Sequence, residues 1–287
     1  MTILSGMNNL IVLATYWNET DWVRPSLAQI ERIDPIEVII CDGCFDMEYP
    51  APSTDGTRKV IQEFVSDREN ARMISPVRCE PLKGAYELWK GHAHSSSLRR
   101  LFPSRLRRAA LSYGTHHYRV NQALTFNRMI SLSQFWEEGR WFMTYDCDQF
   151  YQDRTIENIQ REVNGDSDAE LLTADERTFF RGFGHYTDEY EERTYNNMPH
   201  RIRLGTMIFP TRDITTEGFF RTRYYADVVN TKHVGVYHHY KFEFEERFGE
   251  AYEVGDREPP DVDQYEMKSF EGDHPSAIRN RFSSAAS

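Results

Sequence analysis

The first half of the chain alternates β-branched apolar runs with stretches of helical period, and that alternation restricts the fold more than any other feature. "NLIVLATYW" (9–17) and "IEVIICD" (36–42) read as buried strands. Between them, "ETDWVRPSLAQIERI" sets Val23, Leu27, Ile30 and Ile33 at helical spacing, with Pro25 early enough for a first turn. "DGTRKVIQEFVSD" repeats the pattern with Val60, Ile61, Phe64 and Val65, and a strand is expected at 72–74. A further helix over 121–138 is ended by Gly139, and "RWFMTY" is the next strand. Such alternation predicts an α/β fold whose mixed sheet is mostly parallel in this half, with helices on both faces. Ligands bind these sheets outside the carboxyl ends of the strands. Asp42 and Asp146 stand at two such ends, so both are expected to face one crevice.

The second half is less regular. "IENIQREV" predicts a short helix, "AELLTA" and "RIRLGTMIFPT" strands, and "HVGVYHHYKF" a last strand before a charged, Pro-containing tail whose end reads as disordered. No internal repeat or linker separates the halves, so 1–150 and 151–287 are read as two parts of one domain. The net charge of −11 argues against a nucleic-acid partner, which would call for a basic excess. No apolar run approaches the roughly 20 residues that span a bilayer. The N-terminal stretch lacks the basic region and cleavage site of a secretory signal, so a cytoplasmic location is expected. Cys41 and Cys44 form a C-x-x-C, but Cys79 and Cys147 are solitary and a turn follows the pair. Free thiols are therefore expected rather than a zinc or redox site.

One strand ends unusually. "WFMTYDCDQFY" (141–151) is apolar and aromatic until it delivers Asp146 and Asp148 with one residue between them. Side chains two apart on an extended segment point the same way, so both carboxylates could meet one ion. Hard oxygen ligands suit magnesium or manganese, which bridge phosphate oxygens. Aspartates are also common in turns after strands, and that explanation needs no ion.

The segment "VIICDGCFD…STDGTRKVIQEF" resembles the nucleotide-binding segment of family-2-type glycosyltransferases with the GT-A fold, with the "DGSxDGT"-like turn split by an insertion. "LATYWNETDWVRPSLAQI" resembles that family's first strand and loop, and "FNRMISLSQFWEEGRWFMTYDCD" the helix and strand that lead into its D-x-D. Together these matches cover residues 9–150 in order. The resemblance implies a GT-A (Rossmann-like) fold in which 1–150 binds a nucleotide-diphosphate sugar and 151–287 binds the acceptor. It implies that Thr15, Tyr16 and Asn18 lie under the base and ribose and that Asp42 accepts a hydrogen bond from the base. Asn127 or Arg128 would approach the nucleotide or sugar. Asp146 would contact the ribose or the metal, Asp148 would ligate Mn2+ or Mg2+, and a late histidine would complete the shell. On alternation only one of His238 and His239 can face the site, and His238 is the first candidate.

Inversion at the anomeric carbon, the outcome the resemblance favours, needs a carboxylate within hydrogen-bond reach of the acceptor hydroxyl. The family usually carries it between the D-x-D and the late histidine, and the matching Glu-Asp pair is missing here. Asp175 (beside Glu176 in "TADERTFF"), Glu217 and Asp227 are the candidates. "SSSLRRLFPSRLRRAA" (95–110) gathers arginines with leucines, a pattern suited to peripheral docking on an anionic membrane, where lipid-linked acceptors reside. It suits equally a flap for an anionic substrate or a solvated helix face. The expected activity is metal-dependent sugar transfer from a nucleotide-diphosphate donor to a saccharide, lipid-linked or protein acceptor. The alternatives are a catalytically degenerate nucleotide- or saccharide-binding protein of the same fold and a nucleotidyltransferase. The last would want a Gly-rich loop after the first strand, where this chain has "ATYWNETDW".

Overall fold

The computed structural model of the 287-residue chain describes residues 8–80, 83–84, 87, 117–180, 182–189, 197–203, 205–208, 214–215, 230–242 and 264–279. The first half runs β1 (Asn8–Tyr16), α1 (Val23–Ile33), β2 (Pro35–Asp42), α2 (Thr57–Ser66), β3 (Ala71–Ile74), α3 (His117–Leu132), β4 (Trp141–Asp146) and β5 (Gln149–Tyr151). Then come α4 (Asp153–Asn164), β6 (Leu171–Phe180), β7 (His185–Thr187), β8 (His200–Arg201), β9 (Met207–Ile208), β10 (Ile214–Thr215), β11 (Thr231–Phe242) and β12 (Lys268–Ser269).

Strands β3, β2, β1 and β4 lie side by side and parallel, as the strand–helix alternation requires. Beyond β4 the sheet becomes mixed. β8 pairs antiparallel with both β4 and β6, β6 runs parallel to β11, and β11 pairs antiparallel with β5. The period-2 pleat of β1 sorts the core into two layers. Leu10, Val12 and Ala14 pack with Val23, Leu27 and Ile30 of α1, Ile61 of α2 and Ile159 of α4. Ile11 and Leu13 pack on the other face with Phe126 and Met129 of α3. Helices thus cover both faces of the sheet.

Two elements are shorter than their sequence pattern suggests. The helical period runs to residue 138, yet α3 stops at Leu132. There the buried Glu37 carboxylate takes over. It accepts hydrogen bonds from Ser133 Oγ and from the Gln134 N–H at 3.1 Å, while Arg72 bonds it at 2.8 Å. In "RIRLGTMIFPT" the described residues form the end of β8, a turn and β9 rather than one long strand. Arg203 and Thr206 exchange hydrogen bonds, and Gly205 has a φ of 73°. The tail also contributes more than its composition suggests. Ile278 is fully buried, and Ser276 bonds Asp153 at the start of α4. The extreme end, 280–287, lies outside the described residues.

A bulge in β11 sets the register of the second half. His233 pairs with Thr173, but Gly235 pairs with Ala174, so one residue is extra on β11. Gly235 holds a φ of 142°, and a Cβ there would stand 2.3 Å from Thr155 Oγ1. That hydroxyl is itself engaged, accepting from Val236 N–H and donating to Val236 O, both at 2.9 Å. Backbone strain and overpacking each cost about 1–3 kcal/mol. Gly235→Ala is therefore expected to lose about 3 kcal/mol in urea unfolding. A loss under about 0.5 kcal/mol would show that the bulge is not held this way.

Candidate active site

The ends of β1, β2 and β4 line up at the carboxyl edge of the parallel strands. Tyr16 is the partner of Asp42 on β2, and Thr15 is the partner of Asp146 on β4. The two aspartates therefore flank the last residues of β1. The loops on this edge are tied to one another. Asn18, in a left-handed conformation (φ 52°), receives the Thr54 N–H on its side-chain oxygen at 2.9 Å, and its own N–H bonds Ser53 Oγ at 2.9 Å. Glu19 N–H donates to Thr57 Oγ1 and Thr20 N–H to Asp55. These bonds give Asn18 a loop-joining role at the rim. Thr15 is half-buried at the strand end, whereas Tyr16 points into the core with its hydroxyl 2.9 Å from Ser26 Oγ. The placing of Tyr16 under a base is thereby corrected.

Asp42 is fully buried. One oxygen accepts from Arg58 Nη1 at 2.8 Å, and the other lies 3.4 Å from the Ser53 N–H. Asn127 is also committed. Its amide donates to the Ile208 carbonyl at 2.7 Å and accepts the Ile208 N–H at 2.9 Å, so it pins β9 to α3 and is not offered to a ligand. Arg128, on the same helix, is exposed. It stands close enough to moderate the rise that burial imposes on the Cys41 thiol. All four cysteines are free, and burial raises each thiol, so none is poised as a thiolate.

The acidic pair does not lie on one extended segment. Asp146 ends β4, and Cys147 and Asp148 form the tight turn into β5. Buried side chains hold this turn from several directions. Gln29 of α1 donates to Tyr145 Oη and, at 3.1 Å, to Gln149 O, while its own oxygen accepts the Tyr151 N–H at 2.7 Å. Asn197 donates to Asp146 Oδ2 at 3.0 Å and to Gln149 Oε1 at 2.6 Å, and accepts from Thr144 Oγ1 at 2.7 Å. Asp148 faces His239, whose Nε2 is 3.6 Å from Asp148 Oδ1 and whose Nδ1 is 2.7 Å from Glu176 Oε1. Glu176 also accepts from Thr178 Oγ1 at 2.7 Å and from the Tyr237 hydroxyl. Burial alone would disfavour an imidazolium here. The Asp148 and Glu176 carboxylates outweigh it and lift His239 to about 10.

The choice between the paired histidines is therefore reversed. His238 points to the other side of β11, into an aromatic cluster with Phe179, Phe270 and His274, and its Nδ1 is 2.8 Å from the Tyr240 hydroxyl. Asp175 is likewise displaced by its neighbour. It is exposed and pairs with surface His233 at 3.2 Å, while Glu176 points inward. Glu217, Asp227 and the segment 95–110 lie outside the described residues. Among the described residues, no group of three or more His, Cys, Asp or Glu side chains stands ready to hold a metal ion. Magnesium is commonly bound by one or two carboxylates plus substrate phosphates. Asp146 and Asp148 supply two carboxylates at one tight turn. No helix among the described residues is long and apolar enough to cross a membrane.

The buried histidines imply a definite acid response. Burial lowers His238 to about 2, with His274 and Arg177 adding to the effect, and lowers His200 to about 4 and His274 to about 4. Unfolded histidine takes its proton near 6.5. Stability from these groups is thus complete above about pH 6.5 and is lost as pH falls toward those values. His239 works in the opposite sense and in a different window. Its contribution is complete below about pH 6.5 and is lost as pH rises toward 10, so it offsets the other three only near the top of the interval from pH 7 to pH 5. The urea midpoint is expected to drop between pH 7 and pH 5 by the equivalent of at least about 1 kcal/mol, and by less in His238→Phe. An unchanged midpoint in the parent chain would contradict these assignments.

No family model and no curated protein matches the chain.

Proposed function

We propose that the chain is a glycosyltransferase of the GT-A type, moving a sugar from a nucleotide-diphosphate donor to a saccharide, lipid-linked or protein acceptor. One observation carries this reading: at the carboxyl edge, beside the end of β1, buried Asn197 bonds Asp146, buried His239 faces Asp148, and buried Gln29 holds the turn that carries them. A turn aspartate that merely ends a strand does not require such support. The placement matches where a parallel sheet binds nucleotides. Residues 1–150 would hold the donor, and residues 151–287 would complete the pocket and present the acceptor.

Each group has a chemical task. Asp146, oriented by Asn197, faces the ribose side of the donor. Asp148 offers its carboxylate toward the diphosphate, and His239, braced by Glu176, fixes the direction of that carboxylate. Mn2+ or Mg2+ held by Asp146 and Asp148 would neutralise charge on the departing diphosphate. Glu217 and Asp227 are the proposed sources of the base that takes the acceptor proton. The test is release of nucleoside diphosphate from a panel of sugar nucleotides, with manganese and simple saccharide acceptors. One donor class is expected to be consumed, about 10²–10³-fold more slowly in Asp148→Asn. If no donor is consumed while nucleotides still bind, a binding protein of the same fold takes its place.

A further inference from the structure

The described part of the tail, residues 264–279, is strapped across the second half of the sheet at several points. β12 pairs antiparallel with β7, and Lys268 Nζ lies 2.7 Å from both carboxylate oxygens of Asp188. Phe270 N–H donates to Gly184 O at 2.8 Å, and its ring meets Phe179 edge-on. Farther on, Ser276 Oγ donates to Asp153 Oδ1 at 2.8 Å, and Ile278 is fully buried in the core layer that contains α1. Between these anchors, His274 Nδ1 stands 2.7 Å from the Tyr240 hydroxyl. Tyr240 is fully buried, its ring stacks with both Trp22 and Phe179, and its backbone N–H donates to the Asp148 carbonyl at 2.9 Å. The paired register of β11 with β5 ends at His239, and its register with β6 slips between His239 and Phe242. Regular pairing thus lapses on both sides of Tyr240, and its side chain has to hold the residue in place.

The hydroxyl does so with a defined direction. Gln152 Nε2, an amide nitrogen that can only donate, lies 3.3 Å from His238 Nε2. His238 Nδ1 is then the protonated nitrogen and donates to Tyr240 Oη at 2.8 Å. That leaves the Tyr240 O–H to donate to His274 Nδ1, so the strap supplies the acceptor at the end of a buried chain. Resting on the transferase reading above, we propose that His274 and Tyr240 are positioning residues, through which the tail strap fixes the backbone of Asp148 and with it the direction of its carboxylate. Asp148 is then held at its carbonyl by Tyr240 and faced at its carboxylate by the adjacent His239. Misplacing a reacting group by about 1 Å can cost about 10²-fold in rate.

The experiment is hydrogen exchange of the full chain read by mass spectrometry, in peptides covering the turn at 146–151 and β11 at 237–242. A peptide from β1 serves as the reference for global opening. His274→Ala and Tyr240→Phe are each expected to exchange at least about fivefold faster in both peptides, with β1 unchanged. His274→Asn puts an amide oxygen where Nδ1 stood and should recover most of the protection. Lys268→Ala removes a far anchor of the same strap, a surface ion pair, and should stay within about twofold of the parent. In donor consumption, kcat should fall about tenfold in His274→Ala and Tyr240→Phe while KM stays within about twofold. Exchange within about twofold of the parent in both variants overturns the coupling, as does equal acceleration in Lys268→Ala. Faster exchange with unchanged kcat, in a parent that turns over donor, overturns the positioning role. A parent that consumes no donor overturns the transferase reading and the catalytic role with it, while exchange still decides whether the strap holds the turn.

Discussion

Glu176→Ala is expected to lose about 3–5 kcal/mol of folding stability, the cost of removing one partner from a buried ion pair. Glu176 accepts from His239, Thr178 and Tyr237 inside the sheet. Without it, His239 loses its 2.7 Å partner while Asp148 stays at 3.6 Å, and the Thr178 and Tyr237 hydroxyls lose this acceptor. Each orphaned neutral group would cost about 1–3 kcal/mol if no rearrangement relieved it. Tyr237→Phe removes one donor and leaves the ion pair, so its loss should be nearer 1 kcal/mol. Urea unfolding would show a lowered midpoint with an unchanged slope. A Glu176→Ala chain within about 0.5 kcal/mol of the parent would mean that His239 is neutral and that the carboxylate does not brace it.

The second large effect is on turnover. Asp148→Asn keeps the size of the side chain and removes its charge. The expected loss in donor consumption is about 10²–10³-fold, the usual result of deleting one group that stabilises developing charge. Stability should change less, because His239 keeps its 2.7 Å contact with Glu176. Asn197→Ala offers a graded comparison. It removes the Asn197 bonds to Asp146 and Gln149 while leaving both aspartates in place, so it should reduce turnover less than Asp148→Asn does. Turnover of Asp148→Asn within about threefold of the parent would remove Asp148 from the chemistry.

The first half of the fold was legible because its signals are local. Val23, Leu27, Ile30 and Ile33 declare one helical face, and the β-branched run of β2 ends at Asp42 where its pattern ends. The end of α3 was hidden because Glu37 stops it, a residue nearly a hundred positions earlier in the chain. The site was legible where strand ends announce themselves, at Asp42, Asp146 and Asp148. It was illegible where partners come from afar. Nothing near Asn197 indicates that it holds Asp146, and Gln29 looks like an ordinary polar residue of a helix. His238 and His239 could not be separated by alternation, because residues 237 to 240 are all buried and the bulge at Gly235 resets the phase. The same ambiguity set Asp175 ahead of Glu176. A signal was present in Glu176, since its Cα partner across the sheet is Tyr237, but it needs the register to be read.

The most direct test of the nucleotide site is a thermal-shift measurement with UDP, GDP, CDP, dTDP and ADP, each with manganese or with EDTA. A ligand of the native state at about 100 times its dissociation constant adds about 2.7 kcal/mol of stability. Stabilisation by at least one nucleotide in the presence of manganese, lost with EDTA and lost in Asp148→Ala, is the expected result. A melt that no nucleotide moves, with or without the metal, would contradict the donor site and return Asp146 and Asp148 to the role of a well-braced turn.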